Sequence, residues 1–174
     1  RTTALPFHHT TPDSSRHTLL TCTTCFDPYA VNSTTGIAEI PYTAPGGGGV
    51  SVRLGNEYVG AETEKMDYLV HVTTANTAFT YQYAVVLEDP DTTTHGVCNR
   101  PRFDIRILDS TGTAISGPCG VYGVQTGAAA TDPTWNHFAT FTDGVGAGTH
   151  NGYYKTWTTV GIDLTPFIGH PVTL

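Results

Sequence analysis

The feature that most constrains this chain is an alternation of apolar and polar side chains with a period of two residues. It is clearest in "TAFTYQYAVVLE", where one side of the segment carries Phe79, Tyr81, Tyr83, Val85 and Leu87. Because successive side chains of an extended chain point to opposite faces, this period predicts a half-buried β-strand rather than a helix. Such a segment is typical of a central strand in a β-sandwich.

The same alternation predicts further strands along the chain. They are expected at "VSVRL", "KMDYLVHVT", "RFDIRILD", "YYKTWTTVGIDL" and near residues 120–125, with a turn at "DSTG". In "YYKTWTTVGIDL" strict alternation assigns Tyr154 and Trp157 to opposite faces. Residues 127–152 read as one long loop, and loops of that length are usually functional or mobile.

The composition agrees with an all-β fold. Thr, Gly, Ser, Tyr and Val are abundant, whereas Lys, Glu and Leu, which favour helices, are scarce. At 174 residues the chain is predicted to form one domain. Residues 1–45 lack sustained periodicity and are rich in Thr, Ser and Pro, so we expect a linker, edge or donor strand there, followed by a β-module over residues 46–174.

The charge pattern excludes several function classes. The formal net charge is -7 and the eight Lys and Arg residues do not cluster, so a nucleic-acid partner is not expected. No apolar run is long enough to span a bilayer. The chain also lacks GxSxG, HExxH and Walker sequences, and we therefore do not predict an enzyme.

Four cysteines and a glycosylation sequon favour an exported protein with disulfides. A hairpin after "RFDIRILD" would bring Cys98 near Cys119, and we predict that these two are bridged. Cys22 and Cys25 are a second candidate pair, although their CxxC spacing also suits redox chemistry or half of a zinc site. The sequon makes Asn32 a candidate for N-glycosylation.

Acidic residues gather in "LEDPDTTTHGVCNRPRF", in a chain with few charges. Glu88, Asp89 and Asp91 could supply oxygen ligands for Ca²⁺, with Asn56 and Glu64 joining from the loop "GNEYVGAETE". The alternative is that the Asp-Pro-Asp triplet only initiates a turn, because Asp and Pro are strong turn formers. No EF-hand register fixes the ligands, so both interpretations stay open.

Three aromatic residues near the end of the chain are candidates for ligand binding. Trp135, Tyr153 and Trp157 could form a platform for sugar rings, whose CH faces stack on aromatic side chains. The alternative is that they are core or loop anchors, because alternation alone buries some of them. Trp135 lies in the long loop and is the one least explained by packing.

Several blocks occur in one order: "GGGGVSVRLGNEYVGAETEKMDYLVHVTTANTAFTYQYAVVLEDP", "RPRFDIRILDSTG", "PCGVY" and "YKTWTTVGIDLTPFIGHPVTL". Together they resemble a module of large secreted and cell-surface proteins of Bacteroidetes, often near PKD-like repeats and a type IX secretion sorting domain. "IDLTPFIGHPVTL" is also similar to a stretch of MAM-like and carbohydrate-binding jelly rolls. The resemblance covers residues 46–174 and implies an antiparallel two-sheet jelly-roll β-sandwich, with further strands expected after Leu174.

The function implied by this resemblance is a non-catalytic adhesion or glycan-binding module, extracellular or on a bacterial cell surface. Two alternatives stay open: a structural unit of a surface fibre, or an accessory domain of a secreted hydrolase. If the strand beginning at residues 169–174 leaves its neighbour unpaired, the open sheet edge invites self-assembly, with the segment before Gly46 as a candidate donor strand.

Overall fold

The computed structural model describes residues 16–56, 63–89, 100–115, 121–126, 131–142 and 149–174. The chain is mostly strand with almost no helix, which confirms the predicted all-β class. In chain order the elements are β1 His17–Leu20, β2 Ser51–Leu54, β3 Leu69–His71, β4 Ala78–Asp89, β5 Arg102–Arg106, β6 Val121–Gln125, β7 Asn136–Thr142, β8 Thr149–Asp163, a 3-10 turn Thr165–Phe167 and β9 Pro171–Thr173. Within these described residues, no helix has the length and apolar character that crossing a membrane requires.

A central antiparallel sheet in the order β4-β8-β7 organises the molecule. β4 pairs with β8 along its whole length, from Ala78 opposite Asp163 to Asp89 opposite Asn151. The prediction of one long loop over residues 127–152 is wrong, because β7 and the first residues of β8 lie there. The pairing of β7 shifts register between Phe138 and Phe141, and this irregularity breaks the period of two by which strands are recognised.

A second layer is formed by β3, β9, β5 and β6. β3 pairs with β9, β5 pairs with β6, and both pairs are antiparallel. Leu108, just after β5, joins them: its amide donates to the Thr173 carbonyl at 2.7 Å, and the Thr173 amide donates back at 2.9 Å. The strands therefore run side by side as β6, β5, β9 and β3.

Two apolar clusters lie between the second layer and the central sheet. The first contains the buried residues Val70, Val72, Ile107, Leu164 and Val172, packed against Phe79 and Ile162. The second contains the buried residues Val85, Leu87 and Trp135, packed against Phe103 and Val124 among others. Since each cluster draws on both layers, the fold is sandwich-like. We call the side of the central sheet turned to these clusters its inner face.

The C-terminal strand lies inside the second layer. β9 pairs with β3 on one side and is bridged to Leu108 on the other. The sequence correctly predicts that residues 169–174 begin a strand. Its neighbour β3 has no strand on its other side within the part of the chain that the structure describes.

The opposite, outer face of the central sheet is covered by residues 26–43, which we call the N-terminal cover. Its Ala30 and Ile40 form a buried cluster with Tyr154 of β8, against which Trp157 also packs. The cover is held to itself by isolated bridges, Phe26 with Pro41 and Val31 with Ala38. Ahead of the cover, β1 pairs with β2, so the described part of the N-terminal segment forms a strand and a packed layer.

A β-bulge in β8 explains why Tyr154 and Trp157 share the outer face. The register runs from Tyr83 opposite Thr158 to Val85 opposite Lys155, so β8 has one residue more than β4 at this point. The extra residue reverses the alternation. The prediction that Tyr154 and Trp157 lie on opposite faces is therefore wrong.

Candidate functional site

A concave depression lies where the N-terminal cover meets the glycine run. It has a volume of about 370 Å³ and is lined by Thr23, Pro41, Thr43, Ala44, Pro45, Gly46, Gly47 and Gly49. This volume is in the range of sites for small ligands. The lining combines hydroxyl groups, proline rings and glycine backbone, and it contains no ionisable side chain.

Two side chains from the outer face of the central sheet hold the wall of this depression. The indole Nε1 of Trp157 donates to the Pro41 carbonyl at 2.8 Å. The amide Nε2 of Gln82 donates to the Pro45 carbonyl at 3.3 Å and to Thr159 Oγ1 at 3.2 Å. The wall is thus fixed to a regular sheet, although it consists of loop residues.

The glycine run turns sharply at the rim. The Gly47 amide donates to the Ala44 carbonyl at 2.9 Å. Gly46 and Gly49 have φ values of 72° and 75°, in the left-handed region that side chains disfavour. A Cβ on Gly47 would come within 3.0 Å of the Ala44 carbonyl oxygen. The backbone conformation therefore favours glycine at these positions, and the glycine run is not merely a flexible spacer.

The disulfide loop forms one side of the depression. Cys22 and Cys25 are bridged, with 5.4 Å between their Cα atoms, as the sequence predicts. Of the two threonines between them, Thr23 lines the depression, whereas Thr24 does not and its Oγ1 lies 3.7 Å from Cys22 Sγ. Cys98 and Cys119 lie outside the described residues, so their pairing stays a prediction.

A partly buried hydrogen-bond chain joins the cover to β8. The hydroxyl of Tyr154, which is fully buried, donates to Glu39 Oε2 at 2.6 Å, and Asn32 Nδ2 donates to Glu39 Oε1 at 2.9 Å. Burial, together with the neighbouring Glu39 carboxylate, raises the pKa of the Tyr154 phenol. Tyr154 therefore stays a neutral donor, and the cover has a specific anchor at Glu39.

The candidate glycosylation residue takes part in this chain. Asn32 Oδ1 accepts from the amides of Thr34 and Thr35, at 2.9 and 3.1 Å, while its Nδ2 bonds Glu39. Both ends of the side-chain amide are thus engaged in the folded protein. Glycosylation of Asn32 stays a prediction, and a glycan on Nδ2 would share that nitrogen with the Glu39 hydrogen bond.

The proposed calcium ligands are spread over separate elements. Glu88 and Asp89 end β4, and Asn56 follows β2. The carboxylate of Glu64 is bonded by Arg16, with Nε at 2.6 Å from Oε1, so its charge is already balanced. Within the described ranges, no three His, Cys, Asp or Glu side chains are grouped to hold a metal. Asp91 lies outside those ranges, and a calcium site there stays a prediction.

Three aspartates among the described residues instead stabilise turns through a D-x-T pattern. In each case the Asp Oδ1 accepts from both the amide and the hydroxyl of the threonine two residues later: Asp109 with Thr111, Asp132 with Thr134 and Asp163 with Thr165. These hydrogen bonds lower the pKa of each Asp. Asp91-Thr92-Thr93 has the same sequence pattern but lies outside the described residues, so both interpretations of the acidic segment stay open.

The three aromatic candidates do not form one platform. Trp135 is only 7% exposed and packs with Val85 and Leu87, which favours the core-anchor interpretation over a sugar-binding platform for it. Tyr153 packs against the same inner cluster and contacts His137, with ring centroids 5.3 Å apart. Trp157 lies on the outer face beneath Pro41. The bulge in β8 separates Trp157 from the other two, and it alone adjoins the depression.

No protein-family model matches this chain, and neither a curated protein nor a solved structure is detectably similar to it.

Proposed function

We propose that this chain is a non-catalytic extracellular binding module whose depression, next to the Cys22–Cys25 loop, takes a carbohydrate. A sugar offers CH faces and hydroxyl groups side by side. The depression is lined by two prolines, two threonines and three glycines, residue types that can match both features of a sugar. Its uncharged lining suits a neutral glycan better than a phosphate or a carboxylate ligand.

The observation that carries this proposal is the anchoring of the wall by Trp157 and Gln82. Loops that must order themselves on binding lose affinity, whereas a wall already bonded to a sheet does not. The sequence-based candidate Trp157 keeps a role here, since it holds Pro41 in place from below. Trp157 is then a positioning residue and not a stacking surface.

An extracellular or cell-surface location is part of the proposal. The disulfide supports it, because such bonds persist in oxidising compartments. The resemblance of residues 46–174 to surface modules of Bacteroidetes supports the bacterial cell surface, and it also supports jelly-roll connectivity within the observed two-layer arrangement. The composition, poor in Lys and rich in Thr, is compatible with an extracellular location and with an all-β fold.

An immobilised glycan array, followed by titration of any bound glycan, tests the proposal. Thr23→Trp fills the depression from the disulfide loop and should lower affinity by about tenfold or more. Thr24→Trp is the matched control, because the same loop then carries the same bulk outside the depression. Binding that is lost equally in both variants, or in neither, would contradict the proposed site. An array without any bound glycan would remove the carbohydrate proposal itself.

A further inference from the structure

Among the residues that the structure describes, none pairs with the outer edge of β3 as a strand, and this edge presents unpaired backbone groups in a definite pattern. Tyr68 and Val72 direct their backbone hydrogen bonds to the C-terminal strand: Tyr68 exchanges two with Leu174, and the Val72 amide donates to His170. The backbone N–H and C=O groups of Leu69 and His71 alternate with these and point away from β9, toward the outer edge. The His71 carbonyl accepts from Asn76 Nδ2 at 2.9 Å, which covers one end of the edge.

The side chains around this edge are unusually exposed for apolar residues. Met66, Tyr68 and Leu69 are 56%, 58% and 56% exposed. Tyr68 and Leu69 are consecutive residues of an extended segment, so their side chains point to opposite faces and apolar surface is exposed on both sides of this edge.

We propose that β3 is a self-association strand, which pairs antiparallel with β3 of a second copy of this chain around a twofold axis at Leu69. In this register the two Leu69 residues exchange both backbone hydrogen bonds and bring their side chains into contact. His71 of each copy then lies opposite Asp67 of the other, with its amide directed at the Asp67 carbonyl.

Hydrogen-bond complementarity favours a second copy over another strand. Asp67 is ion-paired with Lys65 at 2.8 Å and is exposed, so its carboxylate can also accept from an imidazole N–H of His71. The twofold register puts Asp67 opposite His71 twice, and it puts no two like charges directly opposite each other. The groups around His71 in this arrangement are Asp67 and Lys65 of the second copy and His170 of its own β9 neighbour.

The geometry also limits the assembly to a dimer. Pairing one β3 edge with another is isologous, so the interface closes and leaves no second edge of the same kind. Asn76 already occupies the His71 carbonyl, so the paired stretch ends at the His71 amide and stays short. This partner surface is independent of the carbohydrate proposal, because β3 belongs to the second layer and the depression lies on the outer side of the central sheet.

Sedimentation equilibrium of the whole 174-residue chain, from about 10 µM to about 1 mM, tests the proposal, because small interfaces associate weakly. The wild type should follow a monomer–dimer equilibrium, and Leu69→Lys should weaken it by about tenfold or more. Leu19→Lys is the control, since Leu19 is 69% exposed on β1 and far from this edge in sequence. Equal weakening by both variants, or a wild type that stays monomeric throughout, would overturn the proposal.

A charge exchange tests the register itself. His71→Asp and Asp67→Lys should each weaken dimerisation, because the first places two carboxylates opposite one another and the second removes the acceptor opposite the imidazole. The double variant Asp67→Lys, His71→Asp should restore dimerisation to within about threefold of the wild type. Failure of the double variant to recover, with folding verified by circular dichroism, would exclude this pairing. Higher oligomers that grow with concentration would point to an open fibre instead.

Discussion

The two faces of the central sheet are covered in different ways. The inner face meets a layer of strands, and its contacts are apolar, as in the cluster of Val70, Ile107 and Leu164. The outer face meets the irregular N-terminal cover, and its contacts include few but specific hydrogen bonds, Tyr154 to Glu39 and Trp157 to Pro41. One sheet can therefore be a core wall on one side and the support of a loop-built site on the other.

The comparison explains where a binding site can form in this protein. Strand-on-strand packing fills the inner face and leaves backbone groups paired within the sheets. A cover without regular strands exposes carbonyls, amides and small residues, and it can be shaped without disturbing the core. The depression at Pro41 and Gly47 lies on the covered face for this reason.

The largest expected effect comes from truncating the inner cluster. Ile107 is fully buried, and Ile107→Ala should lower the free energy of unfolding by about 3 to 4 kcal/mol, because it removes apolar contacts and leaves a cavity. Urea unfolding measures this loss. Ile37→Ala is the control on the N-terminal cover, where Ile37 is 63% exposed, and it should cost less than about 0.5 kcal/mol. Similar losses in the two variants would mean that the faces do not differ as described.

Removing the Cys22–Cys25 disulfide should have a smaller effect. The bridge closes a loop of sequence separation 3, and the entropy model gives about 2 kcal/mol for so short a loop. The double variant Cys22→Ser, Cys25→Ser should therefore lower stability moderately and remain folded. If the bridge also fixes Thr23 in the depression, glycan affinity should fall in the same variant. A loss larger than that of Ile107→Ala would contradict the ranking of the two faces.

The hydrogen bond from Tyr154 to Glu39 should contribute less again. Tyr154→Phe removes a donor to a carboxylate and should cost about 1.5 kcal/mol, while Asn32 still bonds Glu39. Tyr42→Phe is the matched control, because the hydroxyl of Tyr42 makes no hydrogen bond within the described residues. The measurement is again urea unfolding, and tryptophan fluorescence would follow the environment of Trp157. Equal costs for the two substitutions would mean that this hydrogen-bond chain does not anchor the cover.

The inner face could be predicted from the sequence, whereas most of the outer face could not. Alternation along β4 correctly assigns Val85 and Leu87 to the core. The bulge at Thr156 and Trp157 could not be predicted, because nothing in the local sequence marks the extra residue opposite Ala84. The cover was missed for another reason: its contacts join residues far apart in the chain and leave no local period.

The candidate site shows the same limit. The disulfide loop was predictable from the spacing of Cys22 and Cys25, but the depression beside it is made largely of backbone that Trp157 and Gln82 hold from a distance. The D-x-T turns left a visible signal that periodicity analysis does not use. Three such triplets, at Asp109, Asp132 and Asp163, have the same hydrogen bonds.

The smallest effects are expected at those exposed turns, and they should depend on pH. The folded-state pKa values of Asp109, Asp132 and Asp163 lie below the ordinary value, because threonine amides and hydroxyls bond the ionised carboxylates. Below their ordinary pKa of about 3.9, the unfolded chain binds more protons than the folded one. Their stabilisation is therefore complete above that pKa and is lost as the pH falls through the lower folded-state values.

Replacing these acids one at a time should flatten that pH dependence. Asp109→Asn keeps an oxygen that can accept from Thr111 and Thr113 but no longer titrates, so the slope of unfolding free energy against pH below about pH 4 should decrease. Thr111→Val tests the cause from the other partner, because it removes the hydroxyl donor and leaves the charge. Urea unfolding at several pH values between about 2.5 and 6 measures both slopes. If both variants keep the wild-type slope, the hydrogen bonds of the Asp109 turn do not contribute to the pH dependence of stability.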